Sequence, residues 1–289
     1  VVDQVQGSTV RRIRFDHNRD LGLRLVDSGD NDIRRNTIIG GRIGIDMTSD
    51  TPPAAGNRIV LNRIRGDGEM DIGVRLRRSH NNVVSRNTVT GVNAEAIVLN
   101  RANDNLVTRN TLRDNGFAGI NLFRDSDANV LRRNTIVDNG RGVLVQAGSE
   151  ANVIAKNVIR GARGDVGLTG QHSDLNVLKK NRVTNNPERG ISIFESDSTR
   201  LWRNVSKKNG ADGIRVWPGS DDTVLSKNRS HHNGENGIRV ENATATLKQN
   251  RANNNALLGI DAVDGVNDLG GNRAKGNGDP AQCSAGIAC

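Results

Sequence analysis

Tyrosine is absent from the 289-residue chain, and aromatic residues make up only 2%, four phenylalanines and two tryptophans. No apolar run approaches the roughly 18 residues needed to cross a bilayer. No segment sustains the 3.6-residue spacing of Leu, Ala, Glu and Lys that a helical bundle requires. Disorder is excluded as well, because Val, Ile and Leu recur too regularly to be left in a solvated coil. Cysteine is nearly missing: Cys283 and Cys289 are the only two. As an even pair with no other thiol they read as a short disulfide loop, and hence as an oxidising compartment, with a secreted or cell-surface protein expected. Half of a metal site is the alternative, although no His or third Cys lies near. Val1-Val2-Asp3 opens directly in repeat-like sequence, as expected for the mature form of an exported chain.

What the chain has in plenty is glycine, 33 residues, and asparagine in rows. One row runs Asn36, Asn62, Asn87, Asn110, Asn134, Asn157, Asn181, Asn204, Asn228, Asn250 and Asn272, at intervals of 22 to 26 residues. A second lies five residues upstream, as in Asn82 and Asn105, and a third five residues downstream, as in Asn115 and Asn139. Each unit also carries a Gly-apolar-x-apolar segment, such as Gly73-Val74-Arg75-Leu76 or Gly190-Ile191-Ser192-Ile193.

Short apolar dyads at a period near 23 cannot fold one unit at a time, since each buries too little to offset the ordering of its unit. Stacking the units solves this. Strands of successive coils pair in parallel, the aliphatics merge into one core, and each interior asparagine lies over its equivalent, amide to amide. Asparagine and glycine also suit the left-handed corners between strands. The expected fold is all-β: a single-stranded right-handed parallel β-helix, a solenoid of eleven to twelve coils, with handedness following the crossover rule. It is read as one domain over 1–289, with residues 1–15 as an N-terminal cap or first coil. Residues 276–289 form the C-terminal cap with the Cys283–Cys289 disulfide, and Thr51-Pro52-Pro53-Ala54-Ala55 is expected to bulge as a loop from the second coil.

Units of this kind resemble the repeats of the pectin-lyase-like right-handed β-helix superfamily, which includes copper-site-associated periplasmic proteins and carbohydrate-active enzymes. The ending Gly276-Asn277-Gly278-Asp279-Pro280-Ala281-Gln282-Cys283 is similar to that of secreted actinobacterial β-helix proteins of unassigned function. The resemblance implies the fold over nearly the whole chain. It does not choose a chemistry, because the superfamily spans lyases, hydrolases, epimerases and non-enzymatic binders.

Along the Gly-apolar-x-apolar strand the x position and the residue after the dyad face outward. The second of these rows includes Phe123, Gln146, Gln171, Phe194 and Trp217. Rings on an outward face suit sugar stacking, and arginines pair with carboxylates. The substrate-binding candidates are therefore Phe123, Arg124, Gln146, Gln171, Phe194, Trp217 and Arg239. The catalytic candidates are His172, Glu195 and Arg215, with Asp125 and Asp197 on the same face. On a uronate, Arg215 or Arg124 would neutralise the carboxylate and His172 would serve as base. The competing reading buries the rings under a loop or a partner chain. Acidic residues recur at nearly every equivalent turn (Asp127, Asp174, Asp197, Asp221), so most are read as turn residues.

Other motifs dissolve in the repeat. His231-His232 occupies the corner that Lys207-Lys208 fills one coil earlier. Phe15-Asp16-His17-Asn18 echoes the Asp-Pro-His-Asp site of mannuronan epimerases without its proline. The formal charge is +9, arginine supplies most of the cations, and every lysine lies at or after Lys156. A basic surface favours an acidic polysaccharide as partner; nucleic acid is not expected without interleaved aromatics or a basic helix. The functional expectation is a secreted protein that binds, and cleaves or epimerises, a uronate-containing polysaccharide along the strand face. The catalytic classes open to it are lyase, epimerase and glycoside hydrolase; the alternative is a non-catalytic scaffold or adhesin-like rod. No cofactor and no metal site is expected, with calcium only for a lyase.

Overall fold

The computed structural model describes residues 1–49, 55–164 and 166–289. Among them the structure is all β, thirty-six strands of two to six residues and no helix. Every third strand in chain order belongs to the same sheet, and all three sheets are parallel. Three strands to a coil make twelve coils, a parallel β-solenoid as the asparagine rows require. The expected bulge at Thr51, Pro52, Pro53 and Ala54 lies outside the described residues. By contact the chain divides into two compact units, residues 1–140 with 146–152 and residues 141–145 with 153–289.

One coil of the first unit shows why these residues form these strands. Ile72–Arg77 belongs to the first sheet, Val83–Ser85 to the second and Thr88–Thr90 to the third. Val74, Leu76, Val84 and Val89 point inward and are fully buried. Their partners one coil on are Ile97, Leu99, Val107 and Leu112, equally buried. The second and third strands here bury one central side chain each, not the inward pair that the apolar dyads suggest. A three-residue strand between two corners turns only its middle residue to the core. Four aliphatics fall short of the ordering cost of a coil, so the coil is stable only in the stack.

The asparagines supply what the aliphatics do not. In the first unit Asn36, Asn62, Asn87, Asn110 and Asn134 are joined amide to amide at 3.0–3.1 Å. In the second unit the same row continues through Asn181, Asn204, Asn228, Asn250 and Asn272. Asn204 shows the full pattern. Its Oδ1 accepts the backbone N–H and the Nδ2 of Asn181, at 3.0 and 3.1 Å. Its Nδ2 donates to the Leu178 carbonyl at 2.8 Å and to Asn228 Oδ1 at 3.1 Å. Both donors and both acceptor positions of a buried amide are thus used. The third row does the same through Asn186, Asn209, Asn233, Asn255 and Asn277.

Glycine and asparagine do take left-handed corners, as at Gly91, Gly161, Asn185 and Asn254, but the corner before the central asparagine row is built differently. The ladder asparagines keep ordinary backbone, because their amides must reach inward and along the stack. The residue just before each carries the positive φ: Arg35, Arg86, Arg109 and Arg133 in the first unit, Lys156, Lys180, Arg203 and Lys227 in the second, at 54–58°. These side chains are exposed.

At the C-terminus the ladder ends on a glutamine. Gln282 Oε1 accepts both the backbone N–H and the Nδ2 of Asn277, each at 3.0 Å, as the next coil's asparagine would. The Cys283–Cys289 disulfide is formed beside it, and Cys283 bridges in parallel to Ile260.

Replacing Asn204 by leucine should destabilise the protein by at least about 3 kcal/mol, because it leaves several buried donors and acceptors unpaired. Lys208→Ala at an exposed corner should stay within about 0.5 kcal/mol. Denaturant melts of the two variants check the contrast; equal effects would mean that the ladder is not what holds the coils.

Candidate functional site

The outer face of the first sheet in the second unit gathers most of the candidate residues. Its strands are Leu168–Gln171, Ile191–Phe194, Ile214–Val216 and Ile238–Val240. Parallel register aligns Thr169, Ser192, Arg215 and Arg239 in one column. Gln171 and Phe194 pair in the next row. Trp217 follows its strand, its backbone N–H donating to the Ile193 carbonyl at 2.9 Å. The rings meet edge to face: His172 to Phe194 at 5.6 Å and Phe194 to Trp217 at 6.0 Å between centroids. Trp217 Nε1 donates to Ser192 Oγ at 2.9 Å, which locks the indole over the sheet. A cleft of about 250 Å³ opens here, lined by Gln171, Phe194, Trp217, Thr169, Ser192, Val166, Arg141 and Arg189. Phe194 and Trp217 are half-buried in its wall.

The charged groups around this cleft differ in what they already hold. His172 Nδ1 lies 2.8 Å from Glu195 Oε2, with both side chains about half exposed (51% and 50%). Glu195 thereby orients the imidazole through Nδ1. Arg215 is committed: its Nε and terminal nitrogen donate to both oxygens of Glu241 at 2.9 and 3.1 Å, and its guanidinium sits 3.4 Å from the Trp217 ring centroid. Its side chain is only 12% exposed. Arg239 shares Glu241 at 3.0 Å and lies 3.6 Å from Asp261. Arg189 stands apart. Its guanidinium lies 5.1 Å from the Trp217 centroid with no carboxylate among the described residues in an ion pair beside it, and its buried Nε, like that of Arg239, has no hydrogen-bond partner. Arg189 was missed as a candidate because it precedes the glycine of its strand and so falls outside both outward rows. The available signal was the Arg-Gly-apolar opening shared by Arg141-Gly142-Val143 and Arg189-Gly190-Ile191.

At the strand opening one coil after Arg189, Asp212 is fully buried, accepts the Asn236 backbone N–H at 3.1 Å, and leaves Oδ2 without a hydrogen bond. Burial pushes its carboxyl above the ordinary value; the Asn236 amide and Arg215, 3.8 Å away, offset this in part.

The remaining candidates lie elsewhere. Phe123, Arg124 and Gln146 belong to the first unit. There Arg124 stacks on Phe123 at 4.8 Å, and Gln146 Nε2 donates to Asn121 Oδ1 at 3.1 Å. The turn carboxylates act as turn residues: Asp127 accepts the Glu150 N–H at 2.8 Å, Asp174 that of Asp197 and Asp197 that of Asp221, both at 2.7 Å. Asp125 Oδ1 lies near Gly148 in the first unit. Burial among His232, Arg229 and Lys207 pushes the His231 imidazole below its ordinary value. His17 bridges Asp16 and Asp67 at 2.6 and 2.9 Å on an exposed corner of the first unit.

Fold and cleft together define a parallel β-solenoid with a ringed, arginine-bearing groove on the outer face of its first sheet. The family described as periplasmic copper-binding protein (NosD) matches residues 1–129 and 95–212, and the chain belongs to it. No curated protein sequence matches the chain. Among solved structures it is similar to the mannuronan C-5 epimerase AlgE4 A-module of Azotobacter vinelandii, with 14% identity, TM-score 0.71, and 98% of this chain and 91% of that one covered. The periplasmic alginate epimerase AlgG gives 17% identity and TM-score 0.52 over 83% of this chain; the chain spans 60% of that protein's length. A GH87 alpha-1,3-glucanase catalytic domain in complex with nigerose gives 12% and 0.56, over 92% of this chain and 64% of that one. At these identities the likeness is one of fold.

The copper named in the family's description finds no matching donors here. Both cysteines are consumed in the disulfide, and Met47 and Met70 are fully buried in the core. Among the described residues no three His, Cys, Asp or Glu side chains form a cation site. Copper requires converging thiolate, thioether or imidazole groups, and this set does not fit it.

An acid whose pKa is raised by folding stabilises the fold below its unfolded value, and that stability is lost as pH rises through the folded value. Asp212→Asn should therefore gain on the parent protein in thermal midpoint as pH rises from about 4 into the neutral range. Melting curves across that range check it; a difference that does not change with pH would show that Asp212 does not titrate there.

Proposed function

We propose that the chain is an extracytoplasmic protein that binds a uronate-containing polysaccharide in the first-sheet cleft of its second unit. Arg189 carries the reading. It is a half-buried guanidinium in a cleft wall, stacked on Trp217, with an unsatisfied Nε and room beside it for a sugar. A carboxylate is the acceptor that a planar fork of donors recognises best. Phe194 and Trp217 offer ring surface for the sugar, and Gln171 and Ser192 line the same cleft as hydrogen-bonding groups. Arg215 and Arg239, engaged with Glu241, act as props that hold Trp217 and its neighbours in place.

The disulfide, the family's description as periplasmic and the periplasmic alginate epimerase among the similar structures support the extracytoplasmic location. The epimerases and the glucanase that share the fold are named for action on carbohydrates, which supports a polysaccharide as ligand. Should chemistry follow binding, His172 oriented by Glu195 is the group to take a proton from the carbon beside a carboxylate that Arg189 neutralises. Epimerisation returns a proton to the opposite face of that carbon, whereas a lyase expels the neighbouring oxygen.

Titration calorimetry with polygalacturonate should show binding that Trp217→Ala and Arg189→Gln each weaken roughly tenfold, a change of about 1.4 kcal/mol, while a neutral dextran does not bind. Loss of thermal stability without loss of affinity in Trp217→Ala would make that ring structural. Ultraviolet-absorbing unsaturated ends, or a changed epimer ratio, that vanish in His172→Ala would establish the catalytic step; binding without either would establish a non-catalytic binder.

A further inference from the structure

The corner between the second and third sheets carries a feature that neither the fold nor the first-sheet cleft explains. Left-handed backbone costs a residue with a side chain about 1–2 kcal/mol, and glycine or asparagine meets it with least strain. In the second unit four of the six equivalent corners nevertheless hold Lys156, Lys180, Arg203 and Lys227, with Gln249 and Gly271 after them. In the first unit five of six hold arginine, Leu61 being the exception. All of these cations are exposed. Stacking needs a left-handed corner here, but it does not need a charge.

Beside the corner in the second unit, the first residue of the third-sheet strand adds a parallel column, Arg229, Arg251 and Arg273, aligned by register. The two columns enclose a groove of about 620 Å³ whose charged lining is Arg203, Lys227, Arg229, Arg251 and Arg273, with no acidic residue among the lining groups. The charges repeat once per coil, about every 4.8 Å along a straight line. Like charges so arranged repel one another, and in the absence of a lining carboxylate they call for an external anion.

We infer that this corner of the second unit is a binding track for a linear polysaccharide carrying one carboxylate per sugar, separate from the first-sheet cleft. A groove one strand wide takes an extended polymer and not the plane of a bilayer. Single-stranded nucleic acid is bound through open aromatic faces as well as cations. The aromatic ring on this surface, Trp202, is flanked by Lys180 at 4.9 Å and Arg203 at 4.5 Å from its centroid. It buttresses the two cations and is not an open platform for bases. A track of this kind holds the polymer by charge, independently of whether the cleft on the other sheet recognises a sugar.

The test uses the whole chain, with polygalacturonate, an oligo-dT of equal charge and neutral dextran as probes at several salt concentrations. Arg229→Gln/Arg251→Gln/Arg273→Gln should lower polygalacturonate affinity at least tenfold at low salt and flatten its salt dependence. Lys180→Asn/Arg203→Asn/Lys227→Asn should weaken binding in the same direction while leaving the thermal midpoint equal or higher, since asparagine relieves the corner strain. Trp217→Ala and Arg189→Gln should leave this salt-dependent component in place, so loss of it in the corner variants alone separates the track from the cleft. Unchanged affinity in both corner variants would overturn the proposal. Tighter binding of oligo-dT than of polygalacturonate would also overturn it, in favour of a nucleic-acid surface.

Discussion

A primary amide has two hydrogens to give and two lone pairs to fill, and in a water-free interior each unfilled position is expensive. From the second coil on, asparagine amides stand where the next coil's amides can meet those demands, as Asn181, Asn204 and Asn228 do in succession. The spacing of that contact is the spacing of parallel strands. Once the amides are aligned, the sheets have their register and the aliphatic residues have their layer. The coil is not free to shift by one residue, because a slip would turn the amides outward and strand their partners. Corners and outward rows inherit their positions from these columns of amides, and a glutamine takes the next asparagine's place at the end of the third row, on Asn277.

An interior fixed by repetition leaves the exterior free to vary, and the candidate site lies there. On the first sheet of the second unit, neighbouring coils contribute one residue each to the cleft: Gln171, Phe194 and Trp217 in the outward row, with Arg189 at the strand opening. Glu241 then determines which arginines remain available, since it occupies Arg215 on both oxygens and Arg239 on one. The same logic explains the turn carboxylates. Asp127, Asp174 and Asp197 each accept the backbone amide of the equivalent turn one coil later, so their recurrence reflects the stack and not a catalytic site. Buried Asn204 and Asn228 lie within Asn-x-Ser/Thr triplets yet are sealed in the ladder, where no glycan could reach them.

The chain sequence was most informative where one residue type does one job in every coil. The asparagine rows and the Gly-apolar-x-apolar segments read directly as ladders and inward strands, because a period of about 23 residues leaves few other ways to bury them. It was less informative about corners. Asparagine takes positive φ at Asn81, Asn185 and Asn254 as expected, but the central ladder holds it in ordinary backbone and hands the strained position to Arg109, Arg133, Lys180 or Lys227. Half of the site was legible too, since Phe194, Trp217, Gln171, His172 and Glu195 do converge. Arg189 was not, because its place depends on how the chain enters the strand.

What the sequence determined by itself is the solenoid, with its inward columns, its parallel pairing and the rows that face outward. These follow from local pattern repeated until only one packing satisfies every amide. Tertiary structure alone decided which charges are spent and which are free. Arg215 and Glu241 are 26 residues apart and meet only because two coils lie in register. Trp202 gathers Lys180 from the coil before it and Arg203 beside it for the same reason. Such pairings depend on side-chain reach across the stack, a distance that no reading along the chain contains.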